Sequence, residues 1–133
     1  MTTGLVPRGS QLVLSRRTNA DLSAGAYCFV IANGDDDMDI CGANGEAIGV
    51  LTNDVVDATG LAGAEAFLSV VVQGCALVKF GGAVTAGKPV KSDGSGNAVL
   101  ADTDKDKVLG YAWETAATSD IGLVLLNRST LSV

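Results

Sequence analysis

Histidine is missing altogether from the 133 residues of this chain. Its absence removes every Ser-His and Cys-His couple, and the acids that remain lie in loop-like stretches with no apolar pocket evident around any pair. No Gly-x-Ser-x-Gly elbow occurs either, so an enzyme is not expected. Cysteine is sparse: Cys28, Cys41 and Cys75 are odd in number, lack C-x-x-C spacing and sit in apolar runs. They read as reduced, buried thiols, which fits a product made in a reducing cytoplasm. No apolar run is long enough to span a membrane, and no secretion-signal order is present. Basic residues are few, 9 against 15 acids, for a net charge of −6 and a pI near 4.3. Binding to a phosphate backbone rests on Lys and Arg displacing counterions, so nucleic acid is not an expected partner.

Small aliphatics and 17 glycines fill the chain; it is 47% hydrophobic but only 5% aromatic. The length predicts one domain with a core of its own. Small side chains bury less area per residue than aromatics, so such a chain gains by sharing surface with neighbours, and an oligomer is expected. The sequence also repeats itself. Leu22-Ser23-Ala24-Gly25 and Val84-Thr85-Ala86-Gly87 open two similar stretches 62 residues apart, and Ile48-Gly49-Val50 and Leu109-Gly110-Tyr111 follow 61 residues apart. Similarity at that period predicts a duplicated unit, about residues 22–72 and 84–126, that packs against its copy.

Short apolar runs bounded by Gly, Asn, Asp and Ser recur throughout, with no stretch of helical spacing, which makes the chain all-β. Strands are expected over 11–15, 27–32, 38–41, 47–51, 67–72, 76–80, 89–92, 98–101, 108–114 and 121–126, and a loop or single turn over 61–66. Asn44-Gly45 is expected to close a hairpin between 38–41 and 47–50, and residues 93–97 to do the same in the second copy. Residues 1–20 read as an extended arm running into the first strand, ahead of a single β domain over 21–133. Within the arm, Leu5-Val6-Pro7-Arg8-Gly9-Ser10 matches a thrombin cleavage sequence, so residues 5–10 are either native or a tag remnant.

Three patterns imitate ligand sites. Gly82 through Gly87-Lys88 fits G-x-x-x-x-G-K, but Pro89 stands where the motif needs Ser or Thr and a helix N-terminus. Asp35, Asp36, Asp37 and Asp39 read as a solvated acidic hairpin tip, with a hard cation as the alternative. Asp102, Asp104 and Asp106 begin like a calcium loop, but Lys107 and Trp113 occupy the positions that need Gly and Glu. That stretch is expected to be a surface turn neutralised by Lys105 and Lys107. No metal, cofactor or catalytic residue is assigned.

The run Val84-Thr85-Ala86-Gly87-Lys88-Pro89-Val90, then Val108-Leu109-Gly110-Tyr111-Ala112 and the closing Ile121-Gly122-Leu123-Val124-Leu125, resembles the small phage head decoration (capsid cement) proteins. The resemblance spans about residues 21–126. It implies a β-barrel or β-sandwich that trimerises on the outer surface of an assembled head, bridges major capsid proteins and stabilises the shell. The implied setting is the virion, after synthesis in the host cytoplasm. The contact elements it implies are the N-terminal arm, whose basic cluster is Arg8, Arg16 and Arg17, and the loops at one end of the barrel. Two other readings share these features: a trimeric phage tail or fibre domain, and a small-ligand-binding β module.

Overall fold

Short apolar runs separated by turn formers can satisfy their backbone groups only by pairing with one another, and here they build one continuous antiparallel sheet. The computed structural model describes residues 11–18, 21–34, 37–52 and 66–132. Within them the strands are β1 Gln11–Thr18, β2 Phe29–Ala32, β3 Met38–Ile40, β4 Gly49–Leu51, β5 Ala66–Lys79, β6 Pro89–Ser92, β7 Ala98–Leu100, β8 Lys107–Ala112 and β9 Ile121–Thr130. No helix occurs among the described residues. The order across the sheet is β3-β2-β4-β5-β9-β8-β6-β7, with β1 paired to β5 outside that path. The sheet curls on itself into a half-barrel around the larger of two cores.

The two halves run through the same pairings. Val30 faces Ile40 and Gly49 in the first half, and Val90 faces Leu100 and Gly110 in the second. Val50 faces Val71 as Tyr111 faces Leu125. The repeated Gly49 and Gly110 have one physical reason. A Cβ on Gly49 would collide with the Val71 carbonyl, and a Cβ on Gly110 with the Leu125 carbonyl. Each glycine lets its short strand lie close against the long one.

Several expectations are corrected. The openings correspond at a spacing of 60, not 62. Cys28 N donates to Gly25 O as Lys88 N donates to Thr85 O, which places Tyr27 opposite Gly87. Both have positive φ, 61° and 84°. The first-half hairpin is not at Asn44-Gly45, because β3 and β4 flank β2 and do not pair with each other. The hairpin is instead that of β2 with β3, where Asn33 N donates to Asp37 O as Asp93 N does to Asn97 O. Asn44 (φ 54°) is instead the left-handed residue of a turn repeated at Lys105 (φ 69°). The expected strands 67–72 and 76–80 are one strand, β5, that continues through Gly74 at φ 92°. At Gly74 the partner changes: β1 pairs with residues up to Gly74, and β9 with residues from Gly74 onward. β1 also extends through Thr18, so the arm's end belongs to the sheet.

The larger core takes side chains from both halves. Phe29, Val50 and Val71 of the first pack with Val90, Ala98, Ala112 and Val124 of the second. A smaller core, Leu22, Val30, Met38, Leu51, Leu68 and Val70, covers the other face of the first half. Cys28 and Cys41 are buried, Cys75 is half-buried, and all three are free thiols. Burial pushes the Cys28 and Cys41 thiols above the ordinary value.

Candidate interaction surface

The basic cluster divides. Arg8 and the rest of residues 1–10 lie outside the described residues, as do Asp35, Asp36 and all of the expected 61–66 turn except Ala66, which begins β5. Arg16 turns inward along the chain: its guanidinium donates to Gly34 O at 2.7 Å and to Asp37 O at 3.1 Å. It ties β1 to the β2–β3 hairpin. The buried Thr18 hydroxyl, 2.8 Å from Met38 O and 3.0 Å from Asp37 Oδ1, adds to the same seam. Arg17 stands opposite Phe67 on β5. The acidic tip thus gives one of its carboxylates, Asp37, to local structure. Among the described residues no cluster of three or more acids and cysteines is placed to hold a metal ion.

The phosphate-loop imitation leads into a strand. Val84 and Ala116 exchange backbone hydrogen bonds of 2.9 and 3.0 Å, Lys88 is exposed, and β6 begins at Pro89. The calcium-loop imitation folds differently from expectation. Asp106 is buried and accepts from Lys91 Nζ at 3.0 Å and from the Asp102 and Thr103 amides at 3.1 and 3.0 Å. Lys107 pairs with Glu46 at 3.4 Å. The buried carboxylate is therefore balanced from another strand, by Lys91 of β6.

Sequence reasoning missed two apolar surfaces. The first is β1, where Leu12, Val13 and Leu14 are consecutive, 44–51% exposed, and therefore present both faces of the strand to the surroundings. Phe67, opposite Arg17, is also exposed.

The second surface is a cross-strand row. In the first half Phe29, Val50 and Val71 line up across β2, β4 and β5 and are no more than 4% exposed. The matching residues of the second half, Pro89, Tyr111 and Leu125, line up across β6, β8 and β9 and continue to Cys75 on β5. Leu125 is 36% exposed and the other three are half-buried. In the next rung Leu77 is half-buried and Leu123 buried, and Trp113, 62% exposed, donates its amide to Leu123 O. An antiparallel sheet with one wet face ordinarily alternates apolar and polar residues. β9 opens instead with Ile121-Gly122-Leu123-Val124-Leu125-Leu126, apolar on both alternations, and that was the available signal. Exposed apolar patches rimmed by polar groups mark interaction sites.

No family model matches the chain, and no curated protein matches it. Among solved structures it is similar to the head fiber gp8.5 N base in bacteriophage phi29, with a TM-score of 0.69 and 21% identity. The match covers 92% of this chain and 99% of that one. At that identity the likeness speaks to architecture, and this chain has the all-β, barrel-like fold of that base.

Proposed function

We propose that this chain is a non-enzymatic structural protein of a bacteriophage virion: a decoration (cement) protein, made in the host cytoplasm, that binds the outer surface of the assembled head as a homotrimer. Its partners are the major capsid protein and its own copies, with no nucleic acid, membrane or cofactor. The observation that carries the reading is the fold shared, over nearly the whole of both chains, with the base of a phage head fibre. The resemblance in sequence to decoration proteins points the same way. The apolar row Pro89–Tyr111–Leu125 supports self-association, since its counterpart in the first half is covered by a sheet of this same chain. Residues 1–10, with Arg8, and the nearby Arg16 and Arg17 are the proposed capsid contact.

A protein that binds the lattice and not the free subunit stabilises the shell by linkage, about 2.7 kcal/mol per site when present at a hundredfold over its Kd. Purified protein added to undecorated heads of its own phage should raise their temperature of disruption and appear as threefold density. Deleting residues 1–10 should weaken attachment and leave the protein's own melting temperature unchanged. Only monomer by light scattering, together with bare heads in the particle map, would overturn the proposal. The second reading, a base domain for a head fibre, is favoured by the likeness itself; it predicts long projections on the head where the first predicts compact caps.

A further inference from the structure

Two β-bulges open onto one groove. On β5, Gln73 faces Leu12 and Val71 faces Val13, which leaves Val72 as the extra residue. On β9, Leu126 faces Gly110 and Ser129 faces Val108, so Asn127 and Arg128 stand opposite Leu109 alone. A bulge interrupts the ladder and re-aims the side chains beside it. The groove has a volume of about 290 Å³, with Ile48, Val72, Leu109 and Leu126 as aliphatic lining.

The lining is duplicated, and one position breaks the duplication. Ile48 corresponds to Leu109, Val72 to Leu126, and Gln73 to Asn127, by the same pairings that relate the two halves. Each half therefore contributes two aliphatic side chains and one amide. The next position is Gly74 in β5 and Arg128 in β9. Arg128 Nη1 donates to Ala47 O at 2.9 Å, which fixes the guanidinium at the groove's edge. Among the described residues no carboxylate pairs with it, and the groove lining contains no acid. Glu46, in the adjoining depression that Arg128 also lines, is engaged by Lys107. Among the described residues Arg128 is thus a cation with no carboxylate partner, on a chain of net charge −6.

We propose that this groove binds an extended peptide segment of a partner protein, one that carries a carboxylate next to an aliphatic side chain. The aliphatic lining takes the apolar side chain. The Gln73 and Asn127 amides, each with donor and acceptor, match a peptide group, and the guanidinium fork matches a carboxylate. A polyphosphate needs more cations than one. A glycan commonly stacks on an aromatic face, and the aromatic of the lining, Phe29, is buried. The inference holds whichever particle the protein serves.

The test is an NMR titration of the ¹⁵N-labelled full chain with Ac-Ala-Leu-Asp-Ala-NH2, in which the aspartate is the sole carboxylate. Saturable shifts are expected at the amides of Gly49, Gln73, Leu109, Asn127 and Arg128. The peptides with Asn for Asp, or Gly for Leu, should bind about tenfold more weakly, and added salt should weaken the Asp peptide alone. Arg128→Gln should bring the Asp peptide down to the level of the Asn peptide, and Arg128→Lys should restore part of the loss. Should Arg128→Gln disturb folding, Gln73→Ala at an exposed position serves instead, with a severalfold loss expected. Absence of saturable shifts in the groove, equal binding of the Asp and Asn peptides, or unchanged binding by both variants would overturn the proposal.

Discussion

Asp106 is the carboxylate buried among the described residues. The Thr103 amide, then Lys91, then the Asp102 amide favour its ionised form and hold its carboxyl below the ordinary aspartate value of about 3.9. A carboxyl whose pKa is lower in the folded state contributes stability that is fully present above the unfolded value and is lost as pH falls through the folded one. Asp106→Asn should therefore melt below the wild type at pH 7, and the two melting temperatures should converge as the pH falls below about 4, the ordinary aspartate value. Melting followed by circular dichroism across that range checks it; a difference that stays constant to pH 2 would assign the loss to packing. The sequence showed the aspartates of this turn but not the partner of Asp106. Lys105 and Lys107 are adjacent in sequence, whereas Lys91 is brought alongside by the pairing of β6 with its neighbours. Spacing along a chain does not encode a contact across strands.

Among the elements, β6 was legible to the residue, because Pro89 fixes its start and the 93–97 turn its end. β5 was not, because Gln73-Gly74 looks like a break between two strands and acts as a bend within one. Asn44-Gly45 carries the residues of a two-residue hairpin but sits in a connection that passes across β2, since sequence does not say which strand is the neighbour. The Ile/Leu-Gly-aliphatic triplets were recognised as a repeat, and the structure supplies the reason. Gly49→Ala and Gly110→Ala should each cost about 1–3 kcal/mol by forcing apart β4–β5 or β8–β9. Gly42→Ala, where an added Cβ would point into open space and φ is not positive, should be close to neutral by comparison. Urea unfolding of the three variants checks the contrast, and equal losses would show that the close approach is not the cause.

At the scale of the whole molecule, the duplication does not give two independent domains. The larger core draws on both halves, and Phe29 N donates to Gly96 O while Lys107 N donates to Asn44 Oδ1 across the same seam. The chain should unfold in one transition by circular dichroism and by Trp113 fluorescence, and a fragment of residues 21–80 should not fold alone. Two separated transitions, or a folded fragment, would contradict this. The all-β class and the repeat could be read from the sequence; the unbroken apolar run of β9 signals the uncovered row without placing it. Phe29, Val50 and Val71 look no more buried on paper than Pro89, Tyr111 and Leu125, and only the stacking of one half on the other tells them apart. The β1–β5 ladder has a mechanical consequence. β1 is held by eight rungs, from Gln11 against Gly74 to Thr18 against Ala66. Tension applied along the strand at Gln11, as from a tether through residues 1–10, loads those rungs together in shear instead of peeling them one at a time, and it enters the body at the bend where β5 changes partner.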